Sequence, residues 1–465
     1  MKKVKLERIL SLKLDTSEKK RYSELVVRVF AILMLGYIGS YFVRDTFKSI
    51  SEILIARGLF SGYGWEDPKI LYGYLMSLVG VCYGLGKFIL GVLFDRLKAR
   101  IALGLTLLSS GFFFILSVWI LNTHSLILIS LIFIVFGFIQ GSANPTTYRV
   151  LAFWFPAKTR GTWATIWNIS HNIGTIIGPL LISLAFTLLG VQGNDPVQQQ
   201  NVVMYAVLFP GITTMLFSLL LLGMRDKPEE YGLSNVHTLF GEKIPEPVKK
   251  VNIWASLKEN IFSKKELWYI YIANLFVYVL RYAPLTWVVV YANHNWDFQF
   301  NKAKWFFIIF EAGAIPGTII FGYLADRLWN KRRARILLAS AFLMFPGIVM
   351  FSFAGKVVWL SLLGLAWIGF FCYNPINLHS IMCMDIVKRE VVGAATGLNG
   401  LFGYIGSGVL VGLVLGKLIT HFGFVSLFIF LFIAWFVPII MMLLCWNVGP
   451  VETPMETRTK QEIAA

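Results

Sequence analysis

Twelve stretches of this sequence stay apolar for about 20 residues or more, the length at which an α-helix crosses a ~30 Å hydrocarbon core. They run over 25–47, 71–94, 102–121, 126–155, 162–189, 203–222, 267–291, 305–324, 336–354, 357–384, 391–419 and 424–446. Hydrophobic residues make up 57% of the chain and charged ones only 14%, with a mean hydropathy of +0.68, so a single water-soluble core cannot absorb all twelve. Backbone in lipid must satisfy its own hydrogen bonds, and the runs are far longer than the alternating, roughly ten-residue strands of a membrane barrel. The predicted class is an all-α membrane protein with twelve transmembrane helices.

The formal net charge of +17 is spread along the chain. Lys and Arg fall before the first run (Lys2, Lys3, Lys5, Arg8, Lys19, Lys20, Arg21), after the second (Arg96, Lys98, Arg100), after the fourth (Lys158, Arg160) and between the sixth and seventh (Arg225, Lys227, Lys249, Lys250, Lys264, Lys265). They return after the eighth (Lys331, Arg332, Arg333, Arg335) and the tenth (Lys388, Arg389), whereas the connections near His124, at 191–201 and at 420–423 carry none. By the positive-inside rule both termini and the central loop are expected in the cytoplasm. The excess charge then reports topology, and no nucleic-acid partner is expected.

About two dozen polar and basic residues precede the first run, so no cleavable signal is expected, and the segment 1–24 reads as a cytoplasmic N-terminus. Cys82, Cys372, Cys383 and Cys445 lie in apolar runs without metal-ligand or redox spacing and are assigned no chemistry. A long polar interruption at 226–266 divides the chain into helical units at 25–225 and 267–448, followed by a cytoplasmic tail at 449–465.

The two units share marks. "GVLFDRLKAR" (91–100) closes the second run and "GYLADRLWNKRRAR" (322–335) closes the eighth, both as G-x-x-x-D-R followed by bases, 231 residues apart. "YFVR" (41–44) and "YVLR" (278–281) place Y-x-x-R in the first and seventh runs, 237 residues apart. Two marks at nearly one offset indicate a duplicated six-helix unit. With these motifs the sequence resembles the major facilitator superfamily. That resemblance implies two pseudo-symmetric six-helix bundles around a central pathway, with a site near the midplane and alternating access. It also implies that Gly91, Asp95, Arg96, Gly322, Asp326 and Arg327 serve gating and packing.

An arginine at a helix centre costs roughly 2.5 to 3.5 kcal/mol on insertion scales, and the duplication supplies two, Arg44 and Arg281. At equivalent places in symmetric halves, two permanently charged forks facing one cavity suit a phosphate dianion. The alternative is internal pairing, Arg44 with Asp45 or Arg281 with Glu311, as a structural lock; Glu311 is counted with the site. Lys87 lies mid-run in "YGLGKF", and His171 and Asn168 lie in "WNISHNIG". Tyr41 and Tyr278 sit one turn before their arginines and share a face with them. Tyr373 and Asn374 interrupt the tenth run at a proline. Singly, such residues also suit packing or helix-helix hydrogen bonds. "GVCYGLGK" has the wrong glycine spacing for a phosphate-binding P-loop, with Phe88 where Ser or Thr is needed. No metal, cofactor or nucleophile constellation is legible, and no enzymatic activity is expected.

At these residues the chain closely resembles the organophosphate:phosphate antiporters, the branch that holds the bacterial glycerol-3-phosphate and hexose-6-phosphate transporters. The stretches that carry it are "GYIGSYFVRDTF" (36–47), "YGLGKFILG" (83–91), "RGTWATIWNISHNIG" (160–174), "FVYVLRYAPLTW" (276–287), "FEAGAIPGTIIFGYLAD" (310–326) and "GAATGLNGLFGYIGS" (393–407). The resemblance implies that Arg44 and Arg281 bind the phosphoryl group, that Lys87 and His171 match further site positions, and that Tyr41, Tyr278 and Tyr373 line the pathway. It implies import of a sugar or glycerol phosphate against inorganic phosphate, by a monomer in the bacterial inner membrane, without ATP. Two positions depart from the pattern: Asp45 stands where relatives carry Lys, and Thr286 where they carry an acid. Asp45 is therefore read as a clamp on Arg44. Asn374-Pro375, with Asn377 one turn on, replaces a Gly-Pro, and its amides suit either sugar hydroxyls or helix contacts. "WNISHN" resembles the hexose-phosphate carriers, while "IPGT" and "GLFGYIG" resemble the glycerol-phosphate ones. Hexose 6-phosphate is favoured slightly, with glycerol 3-phosphate and a non-transporting sugar-phosphate sensor as the alternatives.

Overall fold

The computed structural model describes residues 16–64, 67–94, 97–191, 195–240, 258–325, 333–387 and 391–448. Among them no β-strand occurs, and twelve helices are long and apolar enough to cross a membrane. We number them spans 1 to 12: Lys20–Arg44, Pro68–Gly91, Ala99–Leu121, Leu126–Trp154, Thr162–Leu188, Asn201–Gly223, Lys265–Trp296, Phe300–Phe321, Arg333–Phe353, Val358–Ile386, Val392–Phe422 and Val425–Leu444. The chain is an integral membrane protein.

Contacts repeat with a shift of six. Span 1 packs on spans 5 and 6 as span 7 packs on 11 and 12; spans 2 and 3 meet span 4 as spans 8 and 9 meet span 10. Between the two sets, span 2 lies along span 11 and span 5 along span 8, which are again symmetric counterparts. Span 7 is the most enclosed, 89% buried over its apolar window against 33% for span 12. A charge on span 7 therefore faces protein and not lipid.

Hydropathy concealed several breaks. Span 1 stops at Arg44, Asp45 has φ −107° and ψ 3°, and the chain continues as short helices Thr46–Ser49 and Ser51–Ala56. Span 4 is divided into Leu126–Gln140 and Ala143–Trp154. Span 11 turns π-helical over Gly406–Val414, where it meets span 2. Part of the polar interruption is helical, with turns at Pro228–Tyr231 and Val236–Leu239. Its Asp226 carboxylate reaches back across the sequence to accept from the amides of Ala99 and Arg100, satisfying orphan donors at the start of span 3.

Of the repeated motif, Gly91 sits in helix Pro68–Phe94, where a Cβ would lie 3.2 Å from Pro145. Arg149 donates to the carbonyls of Phe94 and Leu97 at 2.8 and 2.7 Å, holding that end of span 2 on span 4. Gly322 lies in helix Phe300–Ala325. Asp95, Arg96, Asp326 and Arg327 lie outside the described residues.

Candidate functional site

Arg44 ends span 1 at the point where the helix breaks, and two close helix approaches set its surroundings. Span 5 reaches span 1 through Gly174 and Gly178; a Cβ on Gly178 would lie 2.8 Å from the Phe42 carbonyl oxygen and 2.6 Å from Thr46 Oγ1. Span 4 meets span 2 at Gly141, whose missing side chain makes room for the backbone of Tyr83 and Lys87. The first contact brings His171 beside Tyr41, and the second sets Tyr83 beneath Arg44.

The Arg44 guanidinium lies 3.6 Å from the Tyr83 ring centre and 4.7 Å from that of Tyr41, whose hydroxyl accepts from Nη1 at 2.7 Å. Its Nη2 reaches the Tyr404 hydroxyl at 3.5 Å. Arg281, on span 7, stacks 4.1 Å from the Tyr373 centroid and 4.8 Å from that of Tyr282. Its Nε and Nη2 have no hydrogen-bond partner among the described residues. The two arginines are 9% and 6% exposed.

Neither arginine takes the internal partner open to it in the sequence. Asp45 does not clamp Arg44; it ion-pairs with Lys48 one turn further on, on the same face of the short helix, and the Lys48 ammonium sits 4.4 Å from the Tyr282 ring centre. Glu311, fully buried on span 8, accepts from Asn172 Nδ2 of span 5 at 2.6 Å and from the Tyr373 hydroxyl, and forms no ion pair with Arg281. Each of its oxygens accepts a hydrogen bond elsewhere, and neither guanidinium has an ion-pair partner among the described residues although both are desolvated. Such a charge is costly without an anion.

Rings join the two arginines into one site. From Arg44 the chain of contacts runs through Tyr41, His171 (5.6 Å between centroids) and Tyr373 (5.2 Å) to Arg281. It returns through Tyr282, Tyr278 (5.9 Å), Tyr404 (5.2 Å) and Tyr83 (4.5 Å) to Arg44. Spans 1, 2, 5, 7, 10 and 11 all contribute to this closed collar. His171 Nε2 has no hydrogen-bond partner among the described residues. The half-buried Lys87 points its ammonium toward Tyr404, at 5.9 Å from the centroid.

Of the residues expected from sequence, Tyr41, Arg44, Lys87, His171, Tyr278, Arg281 and Tyr373 are thus brought together, with Glu311 behind Tyr373. Asn374 is buried with its Nδ2 unpartnered among the described residues, and Asn168 is half-buried, one turn before His171 on span 5. The sequence reading missed Tyr83, Tyr282, Tyr404, Asn172 and Lys48. Tyr83 lies one turn before Lys87 and Tyr282 beside Arg281, so helical spacing could have flagged both. Tyr404 and Asn172 carry no such signal.

A family model described as Major Facilitator Superfamily matches residues 33–410. A glycerol-3-phosphate transporter of Bacillus subtilis is 30% identical over 460 residues, 96% of each chain. A hexose-6-phosphate:phosphate antiporter of Salmonella typhimurium is 27% identical over 409 residues, 85% of this chain and 83% of its own. Among solved structures, an inward-facing, unoccupied bacterial homolog of the human lysosomal transporter Spinster superposes with a TM-score of 0.65 at 14% identity, over 93% of this chain and 99% of its own. That likeness bears on the fold alone.

Proposed function

The chain belongs to the Major Facilitator Superfamily and is related to glycerol-3-phosphate and hexose phosphate transporters, and from that premise we propose that it exchanges a sugar or glycerol phosphate for inorganic phosphate. The observation that carries the proposal is the pair of buried guanidiniums stacked on tyrosines with no acidic side chain ion-paired to either among the described residues. A phosphoryl dianion supplies two negative charges and enough acceptor oxygens to fill both forks. Inorganic phosphate and a phosphate monoester present the same group, so one site serves both partners of an exchange.

In this proposal Arg44 and Arg281 hold the phosphoryl group, Lys87 and His171 add donors, and the tyrosine faces keep water from solvating the forks. The two six-helix units rock about the site, and each direction of rocking carries one anion. The carrier sits in the bacterial inner membrane with both termini in the cytoplasm, following the distribution of Lys and Arg. Hexose 6-phosphate is the ester favoured by the sequence around His171. Glycerol 3-phosphate is the second reading, favoured by the 30% identity to a transporter of that name.

Purified protein in liposomes loaded with labelled phosphate tests this. External glucose 6-phosphate or glycerol 3-phosphate is expected to drive label out, and Arg44→Lys or Arg281→Lys to cut exchange by tenfold or more, because lysine keeps the charge and loses the fork. Ligand binding without exchange would instead make the protein a sensor. Full activity in both lysine variants would remove the arginines from the site.

A further inference from the structure

Spans 5 and 8 meet between the two halves along a seam of three rungs, which starts next to the base-free connection at 191–201, the outer end by the positive-inside rule. At that end Phe186 of span 5 meets Phe300 of span 8 edge to face, with centroids 5.6 Å apart and both rings buried. One turn further in, the Lys304 ammonium donates across the seam to the Ser183 hydroxyl, and on its own helix to Asn301 Oδ1 at 3.3 Å. Two turns beyond that, Glu311 accepts from Asn172 behind the collar. Lys304 and Glu311 are two turns apart on span 8, and Asn172 and Ser183 three turns apart on span 5, so each pair lies along one face of its helix. The seam therefore leads from the outer end toward the arginines.

Lys304 is 7% exposed, both its acceptors are neutral, and no carboxylate pairs with it among the described residues. A buried ammonium without a counter-charge is costly, and a neutral side chain would hold Ser183 at less cost. The charge has a use once the rungs part. Opening at this end separates Ser183 from Lys304 and leaves a bare cation on the way to Arg44 and Arg281.

We infer that Lys304 is an outer capture site for the phosphoryl dianion: it meets the anion entering between spans 5 and 8 and passes it to the arginines, and Ser183 covers the ammonium when that end closes. The inference rests on the phosphate reading above and adds a second, outer site to it. Lysine suits the step, because a flexible point charge attracts a dianion without the fixed fork that would retain it. A station on a path must release what it attracts.

Two measurements test it. In proteoliposomes holding the protein in one orientation, the half-saturating phosphate concentration for exchange is measured from each face, and the outer value is divided by the inner. Lys304→Gln is expected to raise that ratio about three- to tenfold through slower capture from outside, and Lys304→Arg, which keeps the charge, to bring it back to within about twofold of wild type. A latch without capture gives the opposite sign, because losing the Ser183 contact favours the state open on the outside and lowers the outer value. A ratio that falls or stays put overturns the inference. The second measurement leaves Lys304 in place: an impermeant succinimidyl ester is added outside, and mass spectrometry reads modification of Lys304. Outer phosphate at constant ionic strength is expected to slow that modification roughly threefold or more, in the wild type and in Arg281→Lys alike, by occupying the ammonium. No modification of Lys304, or a rate that phosphate leaves untouched in either protein, overturns the inference even if no Lys304 variant folds. Absence of exchange in the wild type would overturn the transport reading, while protection of Lys304 by phosphate would still decide this one.

Discussion

Each arginine of the site sits against two aromatic faces and lacks an acid. A guanidinium on a tyrosine ring gains about 0.5–2 kcal/mol, most when desolvated, and keeps its in-plane donors for a ligand. Tyr83, the ring nearest Arg44, is therefore expected to matter through position and not through its hydroxyl. Tyr83→Leu should raise the half-saturating phosphate concentration roughly three- to thirtyfold, while Tyr83→Phe stays within about threefold of wild type; exchange assays over a range of phosphate concentrations decide it. At this scale the sequence was informative where charge broke an apolar run. Arg44, Arg281, Lys87 and Glu311 announce themselves because lipid tolerates none of them freely. Tyr83, Tyr282 and Tyr404 do not, since a tyrosine in an apolar helix is compatible with core, lipid interface and site alike. Asp45 misled for another reason. Adjacency in sequence suggested a clamp on Arg44, yet residues i and i+1 point apart on a helix and i+3 lies alongside, so Lys48 won.

Helices supply the next level of control. Hydropathy located all twelve spans but is blind to a break within one, because a broken helix and a straight one have the same composition. The break at Asp45 aims Arg44 inward and sends helix Ser51–Ala56 against span 7. There Glu52, 6% exposed, accepts from Asn293 at 3.3 Å, and burial together with the nearby Asp297 pushes its carboxyl up from 4.5 to about 7. Below about 4.5 the group is neutral whether or not this contact is made. Between there and about 7 it is neutral only in the contact, so proton uptake accompanies closure, and closure weakens as pH rises through that window. Above it the full penalty of a buried carboxylate applies. Glu52→Gln should flatten this dependence: labelling of a cysteine placed at the buried Ile53 by a membrane-impermeant maleimide, divided at each pH by that of the unfolded protein to cancel thiol ionisation, is expected to rise between pH 5 and pH 8 in the wild-type background and to stay level in the variant. The same rise in both would remove Glu52 as the cause.

The whole molecule is joined between its halves by contacts of little chemical variety. Ser77 Oγ donates to the Gly408 carbonyl at 2.6 Å, Tyr72 hydroxyl to that of Thr286 at 2.8 Å, and Lys304 to Ser183 across spans 8 and 5. Spans 2 and 11 press backbone to backbone where Gly73 faces Gly412, and neither has room for a Cβ. These contacts lie toward the end of span 2 remote from its basic loop, so this structure is sealed on the base-poor side. A wedge should open it: Gly412→Leu is expected to raise labelling of a cysteine at Ser77 by an external, impermeant reagent several-fold, and unchanged labelling would place the seal elsewhere. The duplication was legible in two motifs, and the i to i+6 contact pattern follows from it. Which end is closed was not legible, because a carrier's sequence must be compatible with both ends open in turn. The unneutralised arginines bear on the cycle as a whole. An empty carrier that rocked would drag two bare charges through a closed, dry intermediate, whereas a loaded one travels nearly neutral. In the exchange proposed above, slippage would thereby be slowed without any dedicated lock, and coupling between inward and outward flux would follow from electrostatics.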